Sequence, residues 1–249
     1  MNNQKDKAST ITRREFIKVT GSIILVAGVG VYKPLKADAL STLTDTPGTG
    51  HRFLTTDGIP PADGYLLVDI AKCQGCVSCM LACSLIHEGV ESLSLARIQI
   101  MQNSFAGFPD DVTIAQCRQC VEPLCVEVCP TEALAADAQH GNVRIVDKEA
   151  CIGCGRCYEA CPYTPSRAFL AVDEAYDGEL TSRKCDLCAN APYHWDEAGG
   201  GPDGKQACVA ICPVGAIMFT REIPEQDGNG GYIVNLRDEN WAILGYPTS

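Results

Sequence analysis

Short apolar stretches, broken every few positions by glycine, proline and cysteine, run along most of this chain. Tyr65-Leu66-Leu67-Val68-Asp69-Ile70 and Val143-Arg144-Ile145-Val146-Asp147 are β-rich runs, and Ala216 to Thr220 is another, so each is read as a strand. Around Ala82, Ala160 and Ala210 the composition suits brief helices, which Pro130, Pro162 and Pro213 close off because proline cannot continue a helix. Residues 40–64 are rich in Thr, Gly and Pro and carry neither periodicity, so they read as a linker or an arm laid on a partner. Between Cys188 and Cys208 the chain passes Pro192-Tyr193-His194-Trp195 and then Gly199 to Gly204, which reads as a hairpin-like excursion with a flexible tip. The picture is small α+β.

One apolar run is longer than the rest, Val19 to Val31, and it follows Thr12-Arg13-Arg14-Glu15-Phe16-Ile17-Lys18. Its thirteen residues fall short of the about 20 that a spanning helix needs. With the twin arginines before it and the small-x-small triplet Ala37-Asp38-Ala39 after it, residues 1–39 read as a twin-arginine export signal cleaved after Ala39. A short N-terminal anchor is the alternative. Export would make the twin-arginine translocase a partner and the periplasm the destination. No later stretch approaches 18 apolar residues, so membrane attachment is expected only through partners.

Charge narrows the function further. The formal net charge is -11, and without residues 1–39 the chain keeps 13 of its 20 basic and 28 of its 31 acidic side chains, or -15. A nucleic-acid-binding surface is therefore a poor expectation. Aromatic residues make up only 6%, so something besides side-chain burial is needed to organise the interior.

Sixteen cysteines supply it, in four groups of four. They are Cys73-x2-Cys76-x2-Cys79-x3-Cys83, Cys117-x2-Cys120-x4-Cys125-x3-Cys129-Pro130, Cys151-x2-Cys154-x2-Cys157-x3-Cys161-Pro162 and Cys185-x2-Cys188-x19-Cys208-x3-Cys212-Pro213. A spacing of two lets successive thiolates converge on one inorganic cluster, while the residue after x3 faces away and serves a second. This is the bacterial ferredoxin run, whose last cysteine ligates the other cluster of a pair. At four thiolates per cubane the count gives four 4Fe-4S clusters. Eight disulfides are awkward for triplets of C-x2-C, and the twin-arginine route, by analogy with its other users, exports proteins already folded around cofactors. Structural zinc favours paired C-x2-C halves rather than triplets. A mixed outcome with one 3Fe-4S or absent cluster is a further alternative.

The gaps between groups order the pairing. Groups two and three are 21 residues apart, as inside a two-cluster ferredoxin, against 33 between groups one and two. A nested arrangement follows, with Cys117, Cys120, Cys125 and Cys161 on one cluster and Cys129, Cys151, Cys154 and Cys157 on its neighbour. Cys73, Cys76, Cys79 and Cys212 take a third, and Cys83, Cys185, Cys188 and Cys208 the fourth. Sequential pairing, group one with two and three with four, stays open. Cys129-Pro130-Thr131-Glu132-Ala133-Leu134 and Cys212-Pro213-Val214-Gly215-Ala216-Ile217 repeat the phrase C-P-x-x-A-[LI], the mark of duplicated modules. The expected organisation is two bacterial-ferredoxin-like modules of two clusters each, one nested in the other. The first is built from residues 65–110 and 180–221 and the second from 111–179, with a tail at 222–249.

No nucleophile or acid/base constellation and no G-x-G-x-x-G accompanies these groups, and His51, His87, His140 and His194 are scattered. A non-catalytic electron conductor is expected. Lys72, Arg118, Arg156 and Lys184, beside ligand cysteines, either raise the potential of the nearest cluster or are solvated surface charges.

The four-group pattern with its x19 interval, over about Tyr65 to Arg221, resembles the four-cluster ferredoxin-type subunits of the dimethyl sulfoxide reductase class of complex iron-sulfur molybdoenzymes. That resemblance implies the nested pairing too. It also implies a subunit bridging a molybdopterin or tungstopterin catalytic subunit and a membrane quinone-reactive subunit or c-type cytochrome. Cys79-Met80-Leu81-Ala82-Cys83-Ser84-Leu85-Ile86-His87-Glu88-Gly89, followed by Ala96-Arg97-Ile98, is similar to ferredoxin subunits that accompany tungsten-dependent aldehyde oxidoreductases. Those are usually cytoplasmic, and the export signal departs from them. The competing function is a free periplasmic polyferredoxin shuttle.

Overall fold

A computed structural model describes residues 58–108 and 110–246. The export signal expected at 1–39, and residues 40–57 of the expected arm, lie outside the described residues. The rest of the arm is held against the chain: Asp63 N–H donates to the Gly141 carbonyl at 2.9 Å, and Arg144 donates to the Pro60 carbonyl at 2.9 Å.

Among the described residues eight short strands make four two-stranded antiparallel sheets. β1 (Tyr65–Val68) pairs with β8 (Ile217–Thr220), placing Tyr65 opposite Thr220 and Val68 opposite Ile217. The pair joins positions about 150 residues apart in the chain. β2 (Gln99–Gln102) pairs with β3 (Val112–Ala115), β4 (Leu134–Asp137) with β5 (Val143–Val146), and β6 (Ala168–Asp173) with β7 (Glu179–Lys184). The two C-P-x-x-A-[LI] phrases do the same structural job. Each opens a strand, β4 or β8, that pairs with the strand leading into a cysteine triplet, β5 before Cys151 or β1 before Cys73.

Helices are few. α1 (Ser78–Glu88) stops at Gly89, whose φ of 70° lets its N–H turn back to the Leu85 carbonyl, a conformation that costs glycine nothing. Small residues let α4 (Ala207–Ile211) approach it, with Ala207 fully buried against Ile86 and Ala82 at the contact. α2 (Leu124–Glu127) and α3 (Arg156–Glu159) are single turns packed on each other, and α5 (Glu239–Ile243) belongs to the tail. The tail is fastened. Val68 and residues 232–234 exchange backbone hydrogen bonds at 2.8 and 2.9 Å, and buried Tyr232 donates its hydroxyl to the Arg118 carbonyl.

The segment between Cys188 and Cys208 differs from the expected hairpin, for it contains no strand. Its glycines have no side chains to pair across a ladder. They bend the loop back instead, so that Gly201 N–H reaches the Leu187 carbonyl at 2.7 Å and Gln206 caps the Gly201 carbonyl at 2.7 Å.

The main core holds Leu66, Val68, Met80, Ile98, Ile114, Val143, Leu187 and Ile217 together with Cys79, Cys83, Cys117, Cys185 and Cys208. Each such aliphatic side chain stabilises the fold by about 1.5–3 kcal/mol, and cysteine fills the same interior. A second tie is ionic. Glu88, at the end of α1, meets Arg183 at 3.1 Å, Lys148 at 3.2 Å and Arg97 at 3.6 Å; Asp173 meets Lys148 at 2.9 Å and Arg183 at 3.1 Å; Asp186 meets Arg97 at 2.6 Å. Burial alone would raise the Glu88 carboxyl, but Arg183, Lys148 and Arg97 outweigh it and hold it below its ordinary range. His87 is buried too. Desolvation pushes its pKa down to about 4, so its 3.4 Å approach to Asp186 is that of a neutral ring.

Removing one partner from a buried pair strands the others, at about 3–5 kcal/mol. Glu88→Ala is expected at the low end of that range, because Arg97, Lys148 and Arg183 keep Asp186 or Asp173. Anaerobic thermal unfolding should show a clear fall for Glu88→Ala and none for Asp203→Ala, which breaks an exposed pair with Arg221.

Candidate metal centres

The sixteen cysteines are all unbridged and stand in four sets. Cys117, Cys120, Cys125 and Cys161 line one cavity. Cys129, Cys151, Cys154 and Cys157 line a second, and Cys73, Cys76, Cys79 and Cys212 a third. Cys83, Cys185, Cys188 and Cys208 form the fourth set, each at most 8% exposed and near enough to perturb one another's ionisation. Cys212, rather than Cys129, closes the Cys73 set. Among the described residues no three His, Cys, Asp or Glu side chains gather tightly enough for a single ion, whereas a zinc ion needs its thiolates at about 2.3 Å.

Neighbouring sets lie close to one another in a definite order. Cys79 of the Cys73 set acts on Cys208, Cys185 of the Cys208 set is perturbed by Cys117, and Cys125 of the Cys117 set acts on Cys157. Cys157 also lines the Cys117 cavity. The sets thus form a row, and its two end sets hold the exposed cysteines, Cys76 and Cys154.

The backbone repeats at every group. In each first C-x2-C the residue before the second cysteine is left-handed: Gly75 at φ 66°, Gln119 at 49°, Gly153 at 65° and Leu187 at 55°. For Gln119 and Leu187 this costs of the order of 1–3 kcal/mol, a strain that persists only where the surroundings enforce it. At Gly153 a side chain would also strike the Leu180 carbonyl of β7. Gln119 is braced on both sides, donating to the Cys185 carbonyl at 2.8 Å and accepting from Arg144 N–H at 2.9 Å. Backbone N–H groups from strands, a helix start and loops point at sulfur. Arg97 donates to Cys83 at 3.3 Å, Ala207 to Cys188 at 3.4 Å, and Ser182 to Cys151 at 3.4 Å. Leu134 donates to Cys129 at 3.4 Å, Arg167 to Cys161 at 3.2 Å and Ala216 to Cys212 at 3.2 Å.

Electrostatics state what such sets are suited to hold. Burial, with Cys73, Cys212 and Cys76 close by, pushes the Cys79 thiol up to about 12; burial and neighbouring Cys117 push Cys120 up to about 11. Four thiols crowded out of water resist ionisation. A polycationic metal core reverses that balance, because it binds thiolates and displaces their protons. Soft thiolate donors in fours suit iron-sulfur clusters. At the Cys117 cavity the protein adds cations. Lys184 Nζ is 3.5 Å from Cys125 Sγ; burial would lower its pKa, but Cys117, Cys125 and Cys120 outweigh it and raise it. Arg118, Arg144 and Arg167 line the same cavity, and Arg118 Nε and Nη1, Arg144 Nε and Arg167 Nε and Nη1 have no hydrogen-bond partner among the described residues. An anionic occupant is what these groups fit.

Two of the four basic residues singled out from sequence are therefore at a cysteine set, Arg118 and Lys184. Lys72 turns away, donating to the Leu236 carbonyl at 3.0 Å and lying over Trp241, and Arg156 is exposed. Arg144 and Arg167 were not legible: neither adjoins a cysteine in sequence, and the one available signal was a charge inside the otherwise apolar run Val143 to Val146.

Residues 111–222 match the family model described as a 4Fe-4S dicluster domain. The NADH-dependent phenylglyoxylate dehydrogenase subunit beta of Aromatoleum evansii is 38% identical over 149 residues, 60% of this chain and 28% of that protein. The hydrogenase-2 operon protein HybA of Escherichia coli O157:H7 is 31% identical over 241 residues, 85% of this chain and 63% of that protein. The chain thus spans less than two thirds of either relative. The thiosulfate reductase electron transfer subunit PhsB of Salmonella typhi is 34% identical over 159 residues, which cover 63% of this chain and 74% of the relative. Gathered cysteine sets, a matching dicluster domain and a relative covered over most of its length lead to one conclusion: this chain belongs to the family of ferredoxin-type iron-sulfur electron-transfer subunits of oxidoreductases.

Proposed function

We propose that the chain carries four 4Fe-4S clusters and relays electrons between a membrane quinone-reactive subunit or c-type cytochrome and a molybdopterin or tungstopterin catalytic subunit in the periplasm. The observation that carries this reading is the row of four cysteine sets with an exposed cysteine at each end. On it, Cys73, Cys76, Cys79 and Cys212 hold one cluster, and Cys83, Cys185, Cys188 and Cys208 the next. Cys117, Cys120, Cys125 and Cys161 hold a third, and Cys129, Cys151, Cys154 and Cys157 the last. When bound, such clusters accept and release single electrons.

The chain's own residues do the rest. Thiolates fix each site, backbone N–H groups soften the charge on sulfur, and the buried core excludes water from the Cys83 set. The β1–β8 pair, which closes residues 65–110 onto 180–221 around the intervening segment, supports two nested modules, as does the matching use of the two C-P-x-x-A-[LI] phrases. A fixed assembly is favoured over a free shuttle by the apolar surface next to the Cys73 set. There Trp241 lies over Lys72, Tyr246 packs on Trp241 and Phe108, and Phe105, Ile243 and Leu244 are exposed. The twin arginines, Arg13 and Arg14, support export of the folded protein.

Anaerobically purified protein should contain about sixteen irons and sixteen acid-labile sulfides per chain, four for each cysteine set. Cys161→Ala should lower the iron content and remove or convert one EPR-active spin. A wild-type content near eight would reject four clusters. In gently solubilised membranes the chain should elute in size-exclusion chromatography with a pterin-containing partner, whereas elution only as a small monomer would favour the shuttle. Arg13→Lys with Arg14→Lys should leave the cluster-loaded precursor inside the cell, read by fractionation.

A further inference from the structure

Buried charge in this molecule is balanced in two different ways. Arg97, Lys148 and Arg183 are met by Glu88, Asp173 and Asp186. Among the described residues no carboxylate meets Arg118, Arg144, Arg167 or Lys184. All four are at most 8% exposed, and no carboxylate of the described residues lines the cavity they share. Arg118 and Arg144 donate to neutral acceptors, Arg118 to the Asn229 side chain at 2.8 Å and Arg144 to the carbonyls of Pro60 and Cys120 at 2.9 and 3.0 Å, while Lys184 reaches Cys125 Sγ at 3.5 Å. Arg118 lies over Tyr232 and Tyr163, and Arg167 over Tyr163, so aromatic faces supply part of their surroundings. Four uncompensated buried cations would be prohibitive without an anion beside them.

The other sets lack this girdle. Among the described residues no charged side chain lines the Cys129 or the Cys73 cavity. At the Cys83 set the guanidinium of Arg97 is neutralised by Asp186, which itself adjoins Cys185. Reduction of a cluster adds one electron and no proton, breaks no bond, and so makes the site one charge more negative. Fixed positive charge in a low-dielectric interior favours that state.

We propose that the cluster held by Cys117, Cys120, Cys125 and Cys161 has the highest reduction potential of the four and is the first to fill when electrons enter. This rests on the four-cluster reading above. Its test is a dithionite redox titration of the full chain, purified anaerobically and followed by low-temperature EPR. In Arg167→Gln and in Lys184→Gln the highest midpoint should fall while the other three stay, and Arg167→Lys should restore it. A shift confined to a lower midpoint, or no shift at unchanged iron content, overturns the proposal.

A second measurement needs no variant. In wild-type protein labelled with 15N at lysine Nζ, poised so that only the first-reduced cluster carries spin, pulsed EPR should detect a 15N coupling from Lys184. Lys72 is directed to Leu236 and Trp241. Absence of the coupling from the first-reduced signal overturns the assignment even if both variants fail to fold. An iron content far below sixteen in wild type instead counts against the four-cluster reading itself.

Discussion

Sixteen thiols crowded in fours, all but Cys76 and Cys154 buried or half-buried, is the condition that the rest of this molecule accommodates. A lone buried thiol behaves as a small hydrophobe, and several here pack with aliphatic side chains in the main core. Brought together, they oppose one another's ionisation, which is why burial and neighbouring cysteines push Cys79 and Cys120 so far up. The fold therefore acquires a purpose for its interior other than burying hydrocarbon. With few aromatic residues and strands of four to six residues, the apolar core is thin, and binding of metal to the gathered thiolates adds folding free energy.

Local backbone chemistry follows from that condition. Each first C-x2-C turns through one left-handed residue, and where that residue is Gln119 or Leu187 the strain is accepted and braced from outside. Within its turn Gln119 N–H donates to Cys117 sulfur at 3.5 Å. Sheet pairing between distant segments, β1 with β8, then carries Cys212, the cysteine after an x3, to the Cys73 triplet.

Much of this could be read from spacing alone. Cysteine intervals, the repeated C-P-x-x-A-[LI] phrase and short β-rich runs pointed to small α+β architecture, and the strands at Tyr65, Val143 and Ala216 lie where their residues implied. The β6–β7 ribbon was not seen. Glu179-Leu180-Thr181-Ser182-Arg183-Lys184 is polar enough to read as surface, yet its last four residues are at most 4% exposed. Periodicity looks for apolar side chains facing a core, whereas this strand is buried because its polar groups have polar work: Thr181 on Asp173, Ser182 on Cys157, Lys184 on Cys125. Arg144 and Arg167 escaped for the related reason that their importance lies in contacts distant in sequence.

That strand also explains how two kinds of polar interior coexist a few ångströms apart. Side chains alternate along a strand, so Ser182 and Lys184 share one face of β7 while Thr181 and Arg183 share the other. The first face meets cysteine sulfur, with Ser182 Oγ 3.1 Å from Cys157 and Lys184 Nζ 3.5 Å from Cys125; the second meets carboxylates, with Arg183 on Glu88 and Asp173. Cys185 follows directly and enters the next set. A slip of one residue against β6 would exchange the faces, presenting Arg183 to thiolates and Lys184 to the ion pairs. The register is pinned from Ala168 opposite Lys184 to Asp173 opposite Glu179, and the Asp173 carboxylate that anchors Arg183 sits at the end of the same ladder. One strand's alternation thus keeps uncompensated positive charge on the sulfur side and balanced charge on the other, a division that neither the cysteine spacing nor the net charge of the chain would enforce.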